Sequence, residues 1–220
     1  MSIKAFYSLA VFLSSMFLTF VLSYPMDKRK YFWVRSGVTL VAFYFLMFFF
    51  NRLRLPFNGL TNTCIRFILV ILMTSVFDCI CFRIGAVPAL FLSIVAYTYR
   101  HMIYLVSMII VFILRDSIEG LKMSSYVSNY LIPFVFHLLF LPLLISLMSV
   151  IRKYKDVVLV PTWITMPISV IAVLGDVIFN TLSMRFFNRT PLLKYWMNSF
   201  NILICVMALV IMLGYTKQIK

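Results

Sequence analysis

Acidic side chains are nearly missing from this sequence: six Asp and Glu stand against twenty Lys and Arg in 220 residues. That scarcity leaves no paired-carboxylate motif for acid–base hydrolysis and no Glu-rich metal set. Glycine is also sparse, at six residues, and no Gly-rich phosphate loop is present. Two histidines make no His-x-x-x-His pair, and the cysteines Cys64, Cys79, Cys81 and Cys205 make no Cys-x-x-Cys pair. The cysteines fall inside apolar runs, where they read as small core- or lipid-facing residues and not as a disulfide framework or zinc site. A Cys79 or Cys81 thiol with His101 is the nearest approach to a catalytic pair, and nothing in the spacing requires it. The expectation is a non-enzyme without cofactor or metal.

What is abundant is apolar surface. Hydrophobic residues make up 64% of the chain and charged residues 12%, with 23 Phe and 14 Met. Soluble domains are nearer 45–50% apolar and about 25% charged. A chain this apolar cannot hide its surface from water, so lipid is the expected solvent for most of it. The formal charge of +14 would suggest nucleic acid in a soluble protein. Here the basic residues lie between apolar runs, where cations meet lipid phosphates, and there is no compact basic domain for nucleic acid.

A crossing of about 30 Å of hydrocarbon takes about 20 apolar residues. Runs of that length predict an all-α, polytopic membrane domain over 1–220, with seven spanning helices or six. The spans fall at about 5–24, 32–51, 62–82, 86–114, 126–151, 157–184 and 195–216. The first ends at Pro25 and a charged run, Asp27-Lys28-Arg29-Lys30. Its length and the lack of a small-x-small cleavage site favour a retained helix over a removed signal peptide. Pro56 and Asn58-Gly59 mark a turn, Gly85 and Pro88 open the fourth span, and Pro133 and Pro142 predict kinks in the fifth. Basic residues divide almost evenly between the two sides. The dense cluster Lys28-Arg29-Lys30 with Arg35 follows the first span, which favours an external N-terminus and a cytoplasmic C-terminus.

Ionisable groups at membrane depth are costly and point to function. Asp78, Arg100, His101 and Asp176 all fall within the expected spans. Arg100 lies midway along the fourth, too deep to snorkel, and calls for a carboxylate: Asp78, or preferably Asp176. Ser169, Asp176, Asn180 and Ser183 share one face of the sixth helix, which makes that helix a candidate centre of the bundle. Plain interhelical packing accounts for such a stripe equally well. Tyr97, His101, Tyr104 and Met108 share a face of the fourth helix, a surface suited to an amphiphile or to helix packing. His101 and His137 are candidate proton carriers, although a lone histidine in a span is more often a hydrogen-bonded core residue.

Three stretches carry a resemblance. They are Lys28-Arg29-Lys30-Tyr-Phe32-Trp-Val-Arg35, then Ala89-Leu90-Phe91 followed by Ala96-Tyr97-Thr98 and His101, and a terminal helix running into Lys217. Together, over about residues 25 to 216, they resemble the N-terminal sensor regions of bacterial GHKL-type histidine kinases, which include the accessory-gene-regulator peptide receptors. The resemblance implies a six- or seven-helix sensor in the bacterial cell membrane that detects a peptide or membrane-active compound and works as a dimer. Such kinases continue into a coiled coil, a phosphoacceptor histidine and an ATP-binding domain, whereas this sequence stops at Lys220. The expectation is a membrane sensor or signalling subunit, either a sensor region on its own or a kinase-less subunit acting through a partner or as a homo-oligomer. A small transporter or channel component is the alternative.

Overall fold

The computed structural model describes residues 3–52, 59–117 and 132–153, together with isolated helical positions between Pro167 and Met207. All regular structure among the described residues is helical: α1 (Ile3–Ser23), α2 (Phe32–Arg52), α3 (Gly59–Cys81), α4 (Ala86–Ser117), α5 (Ile132–Leu139) and α6 (Leu141–Lys153). The expected sixth and seventh spans, with Ser169, Asp176, Asn180 and Ser183, lie outside the described residues apart from those isolated positions.

Local chemistry sets the helix ends. Tyr24 precedes Pro25, whose ring disfavours helical backbone before it, and α1 stops at Ser23. Its last carbonyls are met by a tightened turn, Tyr24 N–H to Val21 and Met26 N–H to Ser23. Tyr31, just before α2, holds a left-handed φ of 60°, a conformation that is uncommon for a residue with a side chain. Pro88 sits in the first turn of α4, where a missing N–H leaves no helical bond unmade.

The fifth expected span is two helices. Pro142 has no N–H for the carbonyl of Leu138, and the chain breaks at Phe140 between α5 and α6. The Phe140 carbonyl then accepts from Leu143 N–H at 3.0 Å, from Leu144 N–H at 3.2 Å and from the Tyr99 hydroxyl of α4 at 2.8 Å. A side chain of the neighbouring helix thus steadies the break.

The helix α4 lies at the centre, packed against α1, α3 and α5. Every residue from Phe91 to Ile103 is buried. The core around it combines Phe12, Met16 and Leu22 of α1 with Phe77 and Cys81 of α3. By contrast α2 touches α1 and α3 and turns a row of side chains outward: Val34, Val38, Val41, Phe45 and Phe49 are each more than half exposed. Among the described residues, two helical stretches, Phe32–Phe50 and Ala86–Val111, are long and apolar enough to cross a bilayer.

At one end of the molecule the α1–α2 turn is stitched to the α3–α4 turn. Lys28 and Phe82 form an isolated antiparallel bridge, flanked by Arg29 N–H to Cys81 O at 2.9 Å and Arg83 N–H to Asp27 O at 2.7 Å. Two arginines finish the C-terminus of α3. Arg29 Nε donates to Phe82 O at 2.9 Å, and Arg35 donates from Nε to Lys30 O at 3.0 Å and from Nη1 to Ile80 O at 3.4 Å. Carbonyls at a helix end lack intrahelical donors and carry partial negative charge, so guanidinium groups suit them twice over.

Candidate functional site

The apolar core contains two separate polar centres. The first lies where α1 faces the middle of α4. Arg100 is buried, 8% exposed, and its Nε donates to Ser14 Oγ of α1 at 2.7 Å. One helical turn around it, the rings of Tyr97, His101 and Tyr104 follow each other along α4. Tyr97 and His101 stack at 6.0 Å with an 8° interplanar angle, and His101 meets Tyr104 at 6.2 Å. Phe67 of α3 sets its ring edge-on to Tyr97 at 5.6 Å. Spacings of three and four residues put these groups on adjoining faces of one helix, which is why the sequence pattern finds them. Tyr97 and His101 are almost fully buried, while Tyr104 and Met108 are half-buried.

The second centre lies at the stitched end. Asp78 of α3 is fully buried, and its Oδ2 accepts from the Ser23 hydroxyl of α1 at 2.7 Å. The other carboxyl oxygen has no hydrogen-bond partner among the described residues. Beside it, Ser36 of α2 points its hydroxyl at Cys81 Sγ, 3.4 Å away. Cys79 and Cys81 are free thiols, the first half-buried and the second buried.

The expected pairing of Arg100 with Asp78 is corrected by this geometry. Arg100 is held by Ser14 and Asp78 by Ser23, and nine residues of α1 separate those serines, about 13 Å along a helix. No ion pair joins the two residues. The preferred partner Asp176, together with Asn180, lies outside the described residues. His137, the other histidine, is half-buried on α5.

Sequence reasoning missed Ser14, Ser23 and Tyr99. Serine is common in membrane spans, and nothing local marks the one that will meet a charge far along the chain. Ser14 and Ser23 do lie on a helix that also buries Ser15 and Thr19, so the hydroxyl content of α1 was the available signal.

Chemically, the first centre offers a guanidinium held at one nitrogen by a hydroxyl, next to an imidazole sandwiched between phenol rings. A guanidinium has five N–H donors and favours planar anions such as carboxylate. The flanking rings supply flat apolar surface with polar edges. That combination suits an amphiphile carrying an anionic group. No family model, no curated protein and no solved structure matches the chain.

Proposed function

We propose that this chain is a multi-pass membrane protein that senses a peptide or membrane-active ligand and relays binding through a partner chain or a second copy of itself. The carrying observation is Arg100: a buried guanidinium whose hydrogen-bond partner among the described residues is a neutral hydroxyl, on the helix against which α1, α3 and α5 pack. A charged group at that depth costs about 2.5–3.5 kcal/mol on insertion scales, and a serine compensates only part of that. An anionic ligand group reaching Arg100 would complete it, with Tyr97, His101 and Tyr104 receiving the apolar part. Occupancy would then shift α1 against α4, and that shift is the signal passed on. The role is non-enzymatic and uses no cofactor.

The test uses the full chain in nanodiscs and pairs of amphipathic peptides that differ only in a free or an amidated C-terminus. Thermal stabilisation by the carboxylate form, lost in Arg100→Met, supports the sensor. Equal stabilisation by both forms, unchanged in the variant, removes it. Crosslinking in native membranes should capture a homo-oligomer or one specific partner.

A small transporter or channel component is the second reading, favoured by the break at Phe140. Discontinuous helices beside a central polar site are a recurrent feature of transporters. A strictly monomeric protein that moves solute across liposomes would establish it in place of the sensor.

A further inference from the structure

Exposed basic residues gather at the stitched end. Lys28, Lys30 and Arg83 are all exposed, and the backbone bonds of the two turns draw them together: the bridge sets Lys28 opposite Phe82, next to Arg83, while Arg83 N–H bonds Asp27. Arg29 and Arg35 stand in the same cluster, with some of their donors directed to the carbonyls of Ile80, Phe82 and Lys30. The ammonium groups are partly placed as well. Lys28 Nζ sits 3.7 Å from the centre of the Tyr24 ring, and Lys30 Nζ sits 5.1 Å from that of Tyr31.

Two further features adjoin the charge. The rings of Tyr24, Tyr31 and Trp33 are exposed at 45%, 67% and 71%, and Tyr and Trp favour the depth of lipid headgroups. From Trp33 onward the outward wall of α2 continues through Val34, Val38, Val41 and Phe45. Cations, interfacial rings and an apolar strip therefore follow one another in the order of a phospholipid's phosphate, glycerol and acyl chains.

We infer that the joined turns of α1–α2 and α3–α4 form a binding site for an anionic phospholipid, with the phosphate among Lys28, Lys30 and Arg83 and the acyl chains along α2. Anionic lipid enriches the cytoplasmic leaflet, so the site sets this end of the bundle on the cytoplasmic side. It rests on the membrane reading and is independent of the Arg100 ligand, because the two lie at different depths.

The test is native mass spectrometry of the full chain in detergent with phosphatidylglycerol and phosphatidylcholine at equal concentration. The unaltered protein retains phosphatidylglycerol preferentially. The triple variant Lys28→Gln, Lys30→Gln, Arg83→Gln loses most of that preference, on the order of fivefold per charge removed, whereas Arg152→Gln with Lys153→Gln keeps it. The inference is overturned if the triple variant keeps the preference, or if the Arg152/Lys153 variant loses as much. Abolition by millimolar inorganic phosphate also overturns it, since the site would then recognise free phosphate. Should the triple variant fail to fold, Lys30→Gln alone decides, with an unchanged preference counting against the site.

Discussion

The helices α2 and α4 have nearly the same claim to a membrane crossing, with mean hydropathies of 1.6 and 1.5 over their apolar stretches, yet 22% of the first stretch is buried inside the protein against 72% of the second. The difference lies in where each helix puts its polar atoms. In α2, Ser36 and Thr39 turn inward, and beyond the exposed Arg35 at its start the outward row Val38, Val41, Phe45 and Phe49 is apolar. In α4, Ser93, Thr98, Arg100, His101 and Ser107 are all buried, so the most enclosed helix also carries the most polar interior. A soluble protein is arranged the other way, with its polar groups outside. When the surroundings are apolar, helices gain little by burying leucine against leucine, and association depends on close packing and hydrogen bonds between helices. Two bonds leave α4 from its buried side chains, Arg100 to Ser14 of α1 and Tyr99 to the Phe140 carbonyl.

The contrast can be broken by substitution, and the largest effect is expected in α4. Leu92 is fully buried, and Leu92→Ala should lower stability in detergent by about 2–5 kcal/mol, read from chemical or thermal unfolding. Leu46→Ala, at a half-exposed position of α2, should cost far less. Equal losses would mean that α2 is covered by another chain.

A charge on the outer wall of α2 tests what covers that wall. Phe45 is 53% exposed. Phe45→Arg should impair membrane insertion by about 2.5–3.5 kcal/mol if the wall meets hydrocarbon, as measured with a glycosylation reporter. Unimpaired insertion would place Phe45 in water or in a polar interface.

Smaller effects sharpen the picture inside the core. Asp78→Leu leaves the buried Ser23 hydroxyl without its partner, at an expected cost of about 1–3 kcal/mol. Asp78→Asn keeps an acceptor for that hydroxyl and should cost less. Tyr99→Phe removes the bond to the Phe140 carbonyl, for about 0.5–1.5 kcal/mol. Hydrogen exchange should quicken locally around Phe140 and not along α4. The smallest effect is expected for Val38→Ala on the α2 wall, within about 0.5 kcal/mol of the parent.

The helical segments were legible because their signals are local. Apolar runs fix where helices can be, and Pro25, Gly85 and Pro142 fix where they stop or break. The predicted start of the third span at residue 62 was late because Asn58-Gly59 reads as a turn, whereas Gly59 already opens α3. Of the two carboxylates expected for Arg100, the preferred Asp176 lies outside the described residues, and Asp78 is excluded for a different reason. Charge suggests a carboxylate, but antiparallel packing sets depth, and Asp78 lies near the end of α3 while Arg100 lies mid-way along α4. The sixth span, expected to be central from the polar stripe around Asp176, lies outside the described residues apart from isolated positions, and among the described residues α4 is at the centre. Spacing shows which residues share a face; it does not show which face meets which neighbour.

The arginine caps on α3 bear on the order in which the protein is made. The carbonyls at the end of α3, on Ile80, Cys81 and Phe82, take their donors from Arg29 and Arg35, residues synthesised some fifty positions earlier. When α3 is synthesised, the groups that will seal its end are already present at the rim of the first hairpin. The second hairpin therefore has a template to dock on from its first moment. A nascent chain lacking that turn would have to leave those carbonyls to solvent until some substitute arrived.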